Sequence, residues 1–83
     1  MALRILLADD SQHAQRDGSR ILTELGYEVV AVNNGASALQ ELDQAPFDLV
    51  IADTSMPGLT GLEVCERIRQ RPEWANLPVL LAL

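Results

Sequence analysis

The chain has 83 residues, of which 48% are hydrophobic and 22% charged, a balance that supports one globular domain with a modest core and excludes disorder. Its six cationic residues, all arginine, face twelve acids. The resulting net charge of −6 excludes nucleic-acid binding by a basic patch on this segment. A single cysteine, Cys65, excludes an internal disulfide, and no run approaches the roughly 18 apolar residues of a membrane span.

Taken in order, Arg4-Ile-Leu-Leu-Ala8 is a continuous apolar run, the pattern of a strand buried on both faces, and it ends in Asp9-Asp10. Ser11 suits a helix N-cap. Ala14, Gly18, Ile21, Leu22 and Leu25 then recur at helical spacing until Gly26 stops the helix. Tyr27 to Val32 is rich in β-formers and reads as a second strand. Asn33-Asn34-Gly35 is turn chemistry, and Ala36, Ala38, Leu39 and Leu42 mark a second helix that must end before Pro46. Phe47 to Ala52 forms the third strand and leads into Asp53. Pro57 and Gly58 break the loop from Met56 to Thr60, and a third helix carries Leu62, Val64, Cys65 and Ile68. Pro72 and Pro78 bracket a connection containing Trp74, after which Val79 to Leu83 is a fourth apolar run. Cys65 reads as a small buried apolar residue, and His13 as a solvated residue of the first helix. The short apolar start lacks the length and cleavage site of a secretory signal, so a cytoplasmic location is expected.

This alternation of strands and helices predicts right-handed βαβ units around a parallel α/β sheet. In such sheets ligands bind outside the carboxyl ends of the strands, where the strand order reverses. Asp9, Asp10 and Asp53 all fall at carboxyl ends. Two like charges about 5 Å apart repel by roughly 3 kcal/mol at an effective dielectric near 20, so three together call for a cation. A hard divalent ion, Mg²⁺ above all, suits ligands that are all oxygen and keeps positions open for water or a phosphate.

These residues resemble the receiver domain of two-component response regulators. The resemblance is carried by Asp9-Asp10, by Leu25-Gly26-Tyr27-Glu28-Val29, by Asn34-Gly35-Ala36-Ser37-Ala38-Leu39 and above all by Asp53-x-x-Met56-Pro57-x-x-x-Gly61. It implies a flavodoxin-like fold in which Asp53 accepts a phosphoryl group from a phosphohistidine on a sensor histidine kinase or phosphotransfer protein. It implies that Asp10, Asp53 and the main-chain carbonyl of Ser55 ligate Mg²⁺, with Asp9 acting directly or through water. The Ser55 side chain would lie near an attacking water. Met56 and Pro57 read as structural, and Gly58 and Gly61 as loop geometry. Asp9-Asp10 could in addition cap the first helix.

The family's sheet resembles one of five strands in order 2-1-3-4-5, with a further helix after the last. Residues 1–83 match about the first two-thirds: four strands in order 2-1-3-4 and three helices, without the fifth strand and last helices. Leu83 falls where a Ser or Thr normally closes the fourth strand, and the family's lysine at the end of the fifth has no counterpart in a sequence without lysine. Either these residues are part of a longer receiver, with an output domain beyond Leu83, or they are a short form whose site binds metal and switches poorly. An exposed fourth strand would favour a homodimer or swapped oligomer. Three functions follow for testing: a Mg²⁺-dependent phosphoacceptor that is not a turnover enzyme, an interaction module independent of phosphate, and a metal-dependent phosphatase or nuclease. Against the last, Ser55 stands where aspartyl phosphatases usually carry a second Asp.

Overall fold

The structure is a computed structural model that describes residues 2–82, so the expectation for Leu83 lies outside the described residues. Its elements alternate as β1 (Arg4–Ala8), α1 (Gln12–Glu24), β2 (Glu28–Val32), α2 (Gly35–Gln44), β3 (Leu49–Asp53), α3 (Gly61–Arg69), a 3-10 turn (Pro72–Trp74) and β4 (Val79–Ala82). The four strands form one parallel sheet in the order β2-β1-β3-β4. The chain therefore starts in the middle of the sheet, goes out to one edge and crosses back past β1. The reversal point lies between β1 and β3, whose carboxyl ends carry the acids.

Alternation along β1 and β3 divides the core. Leu6, Ala8, Val50 and Ala52 share one cluster with Ala38 and Leu42 of α2, Val64 and Ile68 of α3, and Met56. Leu6, Val50, Val64 and Ile68 are the largest fully buried side chains. Burying each contributes about 1.5–3 kcal/mol, so the βαβ units are held together here. On the opposite face Ile5 and Leu7 are buried on the side of α1, where Gly18 lies so close that a Cβ on it would be 3.0 Å from Leu7 Cδ2. An alanine at 18 would require the Leu7 side chain to give way by a few tenths of an ångström.

Local signals set the helix ends. Ser11 caps α1, its hydroxyl accepting from the Ala14 N–H at 3.2 Å, and Asn34 caps α2 by accepting from the Ser37 N–H at 2.7 Å. Thr60 and Glu63 form a reciprocal capping box on α3, with bonds of 3.2 and 3.1 Å. Gly26 ends the first helical unit with φ at 95°, a left-handed backbone that disfavours any residue with a Cβ.

Several expectations need correction. The third strand begins at Leu49 rather than Phe47. Asp48 accepts the Arg4 N–H on its carboxylate at 2.7 Å and donates its own N–H to the Arg4 carbonyl at 2.8 Å, and Phe47 lies under the Arg4 guanidinium at 4.8 Å, so both residues contact Arg4 just ahead of the strand. The second strand begins at Glu28, one residue later than read. The stripe along α1 is only partly internal, because Ile21 and Leu25 are 50% and 67% exposed. Leu62 is also exposed, Cys65 is half-buried rather than buried, and the connection holding Trp74 is a 3-10 turn.

Candidate functional site

The acids arrive at one edge because β1 and β3 pair in parallel, with Ala8 opposite Ala52. Asp9 follows the first of these residues and Asp53 the second. One carboxylate oxygen from each of Asp9, Asp10 and Asp53 lies within 4.8 Å of the others. Asp9 and Asp53 are half-buried and Asp10 is exposed. None of the three forms an ion pair with a described residue.

Hydrogen bonding fixes two of these acids and leaves the third open. The Asp9 N–H donates to the Val32 carbonyl at 3.0 Å, and its Oδ1 accepts the Ser11 N–H at 2.9 Å. Its carbonyl accepts the Gln15 side-chain amide at 2.6 Å. Asp53 repeats the local turn: its Oδ1 accepts the Ser55 N–H at 3.0 Å. Ser55 is exposed in the turn after β3, while Met56 is buried beneath that turn. The Asp9-Asp10 pair does not provide the helix cap; Ser11 does, and the first turn of α1 holds no acid. His13 is exposed and pairs with Asp17 at 3.1 Å.

Two neighbours shape this edge, one that pattern reading took for loop geometry and one that it missed. Gly61 opens α3 directly against β3, so a Cβ there would collide with the Asp53 carbonyl oxygen and lie 2.8 Å from the carbonyl carbon. Its role is close approach to the candidate acid, a sharper reason for glycine than loop geometry. Gln15 is the second, and its signal was slight: a polar residue among the half-buried positions of α1. Thr54 also ties the edge together, its N–H and hydroxyl both donating to the Ala82 carbonyl at 3.2 and 3.3 Å.

The donor set fits a hard cation. All three side chains offer the oxygen ligands that Mg²⁺ takes, and one carboxylate oxygen from each already lies within 4.8 Å of the others. The family model for the response regulator receiver domain matches residues 5–82. The chain belongs to the response regulator receiver family. This receiver is 40% identical over 80 residues to the uncharacterized transcriptional regulatory protein YrkP of Bacillus subtilis, covering 96% of the chain and 33% of YrkP. It spans a third or less of the length of the first curated relatives it matches.

Solved receivers share the fold. The chemotaxis response regulator CheY4 of Vibrio cholerae superposes with a TM-score of 0.94 at 32% identity, over 98% of this chain and 68% of that one. Response regulator TrrA of Thermotoga maritima, solved in complex with Mg²⁺-BeF, gives 0.83 at 30% identity, over 98% and 87%. A structure of histidine kinase ThkA in complex with TrrA gives 0.87 at 37%, over 95% and 66%. The flavodoxin-like reading and the strand order 2-1-3-4 hold. Among the described residues, no helix is long and apolar enough to cross a membrane.

Proposed function

We propose that this receiver accepts a phosphoryl group on Asp53 from a phosphohistidine of a sensor histidine kinase or phosphotransfer protein, and that it passes the change to an output domain or partner. The observation that carries the reading is the convergence of Asp9, Asp10 and Asp53 at the β1/β3 reversal point without a cationic partner among the described residues. The solved TrrA complexes with Mg²⁺-BeF and with a histidine kinase support it by similarity. Such a partnership belongs in the cytoplasm.

Asp10, Asp53 and the Ser55 main-chain carbonyl would hold Mg²⁺, with Asp9 contributing directly or through water. Bound there, the ion offsets the repulsion between carboxylate and phosphoryl oxygens and leaves room for the incoming group. A carboxylate oxygen of Asp53 attacks phosphorus. The new O–P bond forms as the N–P bond of the phosphohistidine breaks, and the bonding pair leaves with the imidazole nitrogen. The Ser55 N–H on Oδ1 orients the Asp53 carboxylate for this attack. Gly61 keeps the space behind the Asp53 backbone closed. The chain undergoes one phosphoryl transfer per cycle and is not a turnover enzyme.

Intact-mass analysis after incubation with acetyl phosphate and Mg²⁺ tests this reading. One phosphoryl adduct is expected, lost in Asp53→Asn and in the presence of a chelator. A folded protein that takes no adduct would instead favour an interaction module independent of phosphate, the alternative raised by Leu83 at the position of the usual hydroxyl residue.

A further inference from the structure

We propose that Gln15 is a positioning residue for the acidic site: from within α1 its side-chain amide sets the plane of the peptide that joins Asp9 to Asp10. The inference rests on the reading of those acids as metal holders. Its basis is the 2.6 Å bond from Gln15 Nε2 to the Asp9 carbonyl, a half-buried contact spanning the β1–α1 turn.

A peptide unit is planar, so the direction of the Asp9 carbonyl fixes the direction of the Asp10 N–H, leaving few backbone torsions to separate the two carboxylates. The preceding peptide is already held, because the Asp9 N–H donates to Val32 of β2 at 3.0 Å. With Gln15 on the following one, both peptide planes around Asp9 are tied to neighbouring elements. Without that bond, rotation about the Asp9 Cα–C bond would swing Asp10, which is exposed and has no side-chain hydrogen bond among the described residues. Gln15 is itself anchored in the helix, its N–H donating to the Ser11 carbonyl at 3.0 Å.

The residue type matters as much as the distance. An arginine or lysine at 15 could reach the same carbonyl, but it would bring a positive charge beside three carboxylates and compete with a divalent ion. An amide provides the donor without the charge. Partners one step removed from a metal commonly alter its affinity by roughly ten- to a hundredfold, and an uncharged one acting through the backbone belongs at the lower end.

Titration calorimetry of the full chain with Mg²⁺ alone, alongside Gln15→Met and Gln15→Lys, tests the inference. Gln15→Met keeps the length and apolar stem but loses the donor; its Mg²⁺ affinity is expected to fall roughly tenfold. Gln15→Lys keeps a donor but adds charge and is expected to weaken binding at low salt, with part of the loss recovered as salt screens the charge. Urea unfolding without metal separates this role from a general structural one. Affinity unchanged in Gln15→Met, whatever happens to the urea midpoint, overturns the inference. In the unaltered protein, the Gln15 side-chain NH₂ resonances should move on adding Mg²⁺ while those of exposed Gln40 stay; their immobility would also overturn it. Failure of the unaltered protein to bind Mg²⁺ would sink the metal-site reading itself, and this inference with it.

Discussion

The two ends of the sheet treat charge in opposite ways. At the amino ends of the strands, acids meet arginines. Arg4 pairs with Glu28 at 3.6 Å and covers the Phe47 ring. Arg71 donates to Asp43 at 2.8 Å and Glu73 at 3.0 Å while stacking on Trp74 at 4.2 Å. Arg69 reaches the Trp74 carbonyl at 3.2 Å. At the carboxyl ends, Asp9, Asp10 and Asp53 gather with no such partner among the described residues. Charge at the amino ends is neutralised within the chain, whereas on the proposed function the charge at the carboxyl ends is left for a ligand to neutralise.

The largest expected disturbance to this contrast is Gly61→Ala. The added methyl meets backbone rather than a yielding side chain, so β3 and α3 must separate next to Asp53. Overpacking of this kind costs about 1–3 kcal/mol, read as a lower urea midpoint, and Mg²⁺ affinity should fall with it. An unchanged midpoint would mean that the carboxyl edge is looser than its packing indicates.

Asp53→Asn should act in the opposite direction when metal is absent. It removes one like charge while keeping an oxygen for the Ser55 N–H, so stability should rise by about 1 kcal/mol at low salt, a repulsion discounted for exposure to solvent. The gain should shrink as ionic strength rises. A loss of stability at low salt would show that the acids do not repel one another enough to matter.

The smallest effect belongs to the amino end. The hydrogen bond from Arg71 holds the Glu73 carboxyl below its ordinary value of 4.5, so Glu73 favours folding above that pH and loses this contribution as pH falls through its depressed value. Arg71→Ala should therefore lower stability slightly at neutral pH and flatten the acid limb of the stability–pH curve. Both changes are small because the group is open to solvent. Parallel curves for the two proteins down to the acid limb would remove the pairing from the account.

The order of elements and the meeting of the acids were legible in the sequence because both follow from short-range pattern. Apolar runs ending in Asp9 and Asp53 specify where strands end, and parallel pairing then brings the ends together. The start of β3 was not legible: Phe47 is as good a strand former as Val50, and its contact with Arg4, far away in the sequence, leaves no mark on the local pattern. The Arg71–Asp43 pair is hidden for the same reason, being 28 residues apart in sequence. Gln15 was missed because its chemistry is directed at a main-chain carbonyl, which no side-chain pattern records. The exposure of Ile21 and Leu25 escaped because helical spacing shows that residues share a face without showing what that face meets.

The most direct test is the unfolding free energy as a function of Mg²⁺ concentration for the unaltered chain, Asp10→Asn and Asp53→Asn. If the carboxyl edge awaits a cation, stability of the unaltered chain rises with metal, by about 2.7 kcal/mol at a hundred times the dissociation constant, while both variants respond weakly or not at all. A stability independent of Mg²⁺ in the unaltered chain, or the same rise in all three proteins, would contradict it.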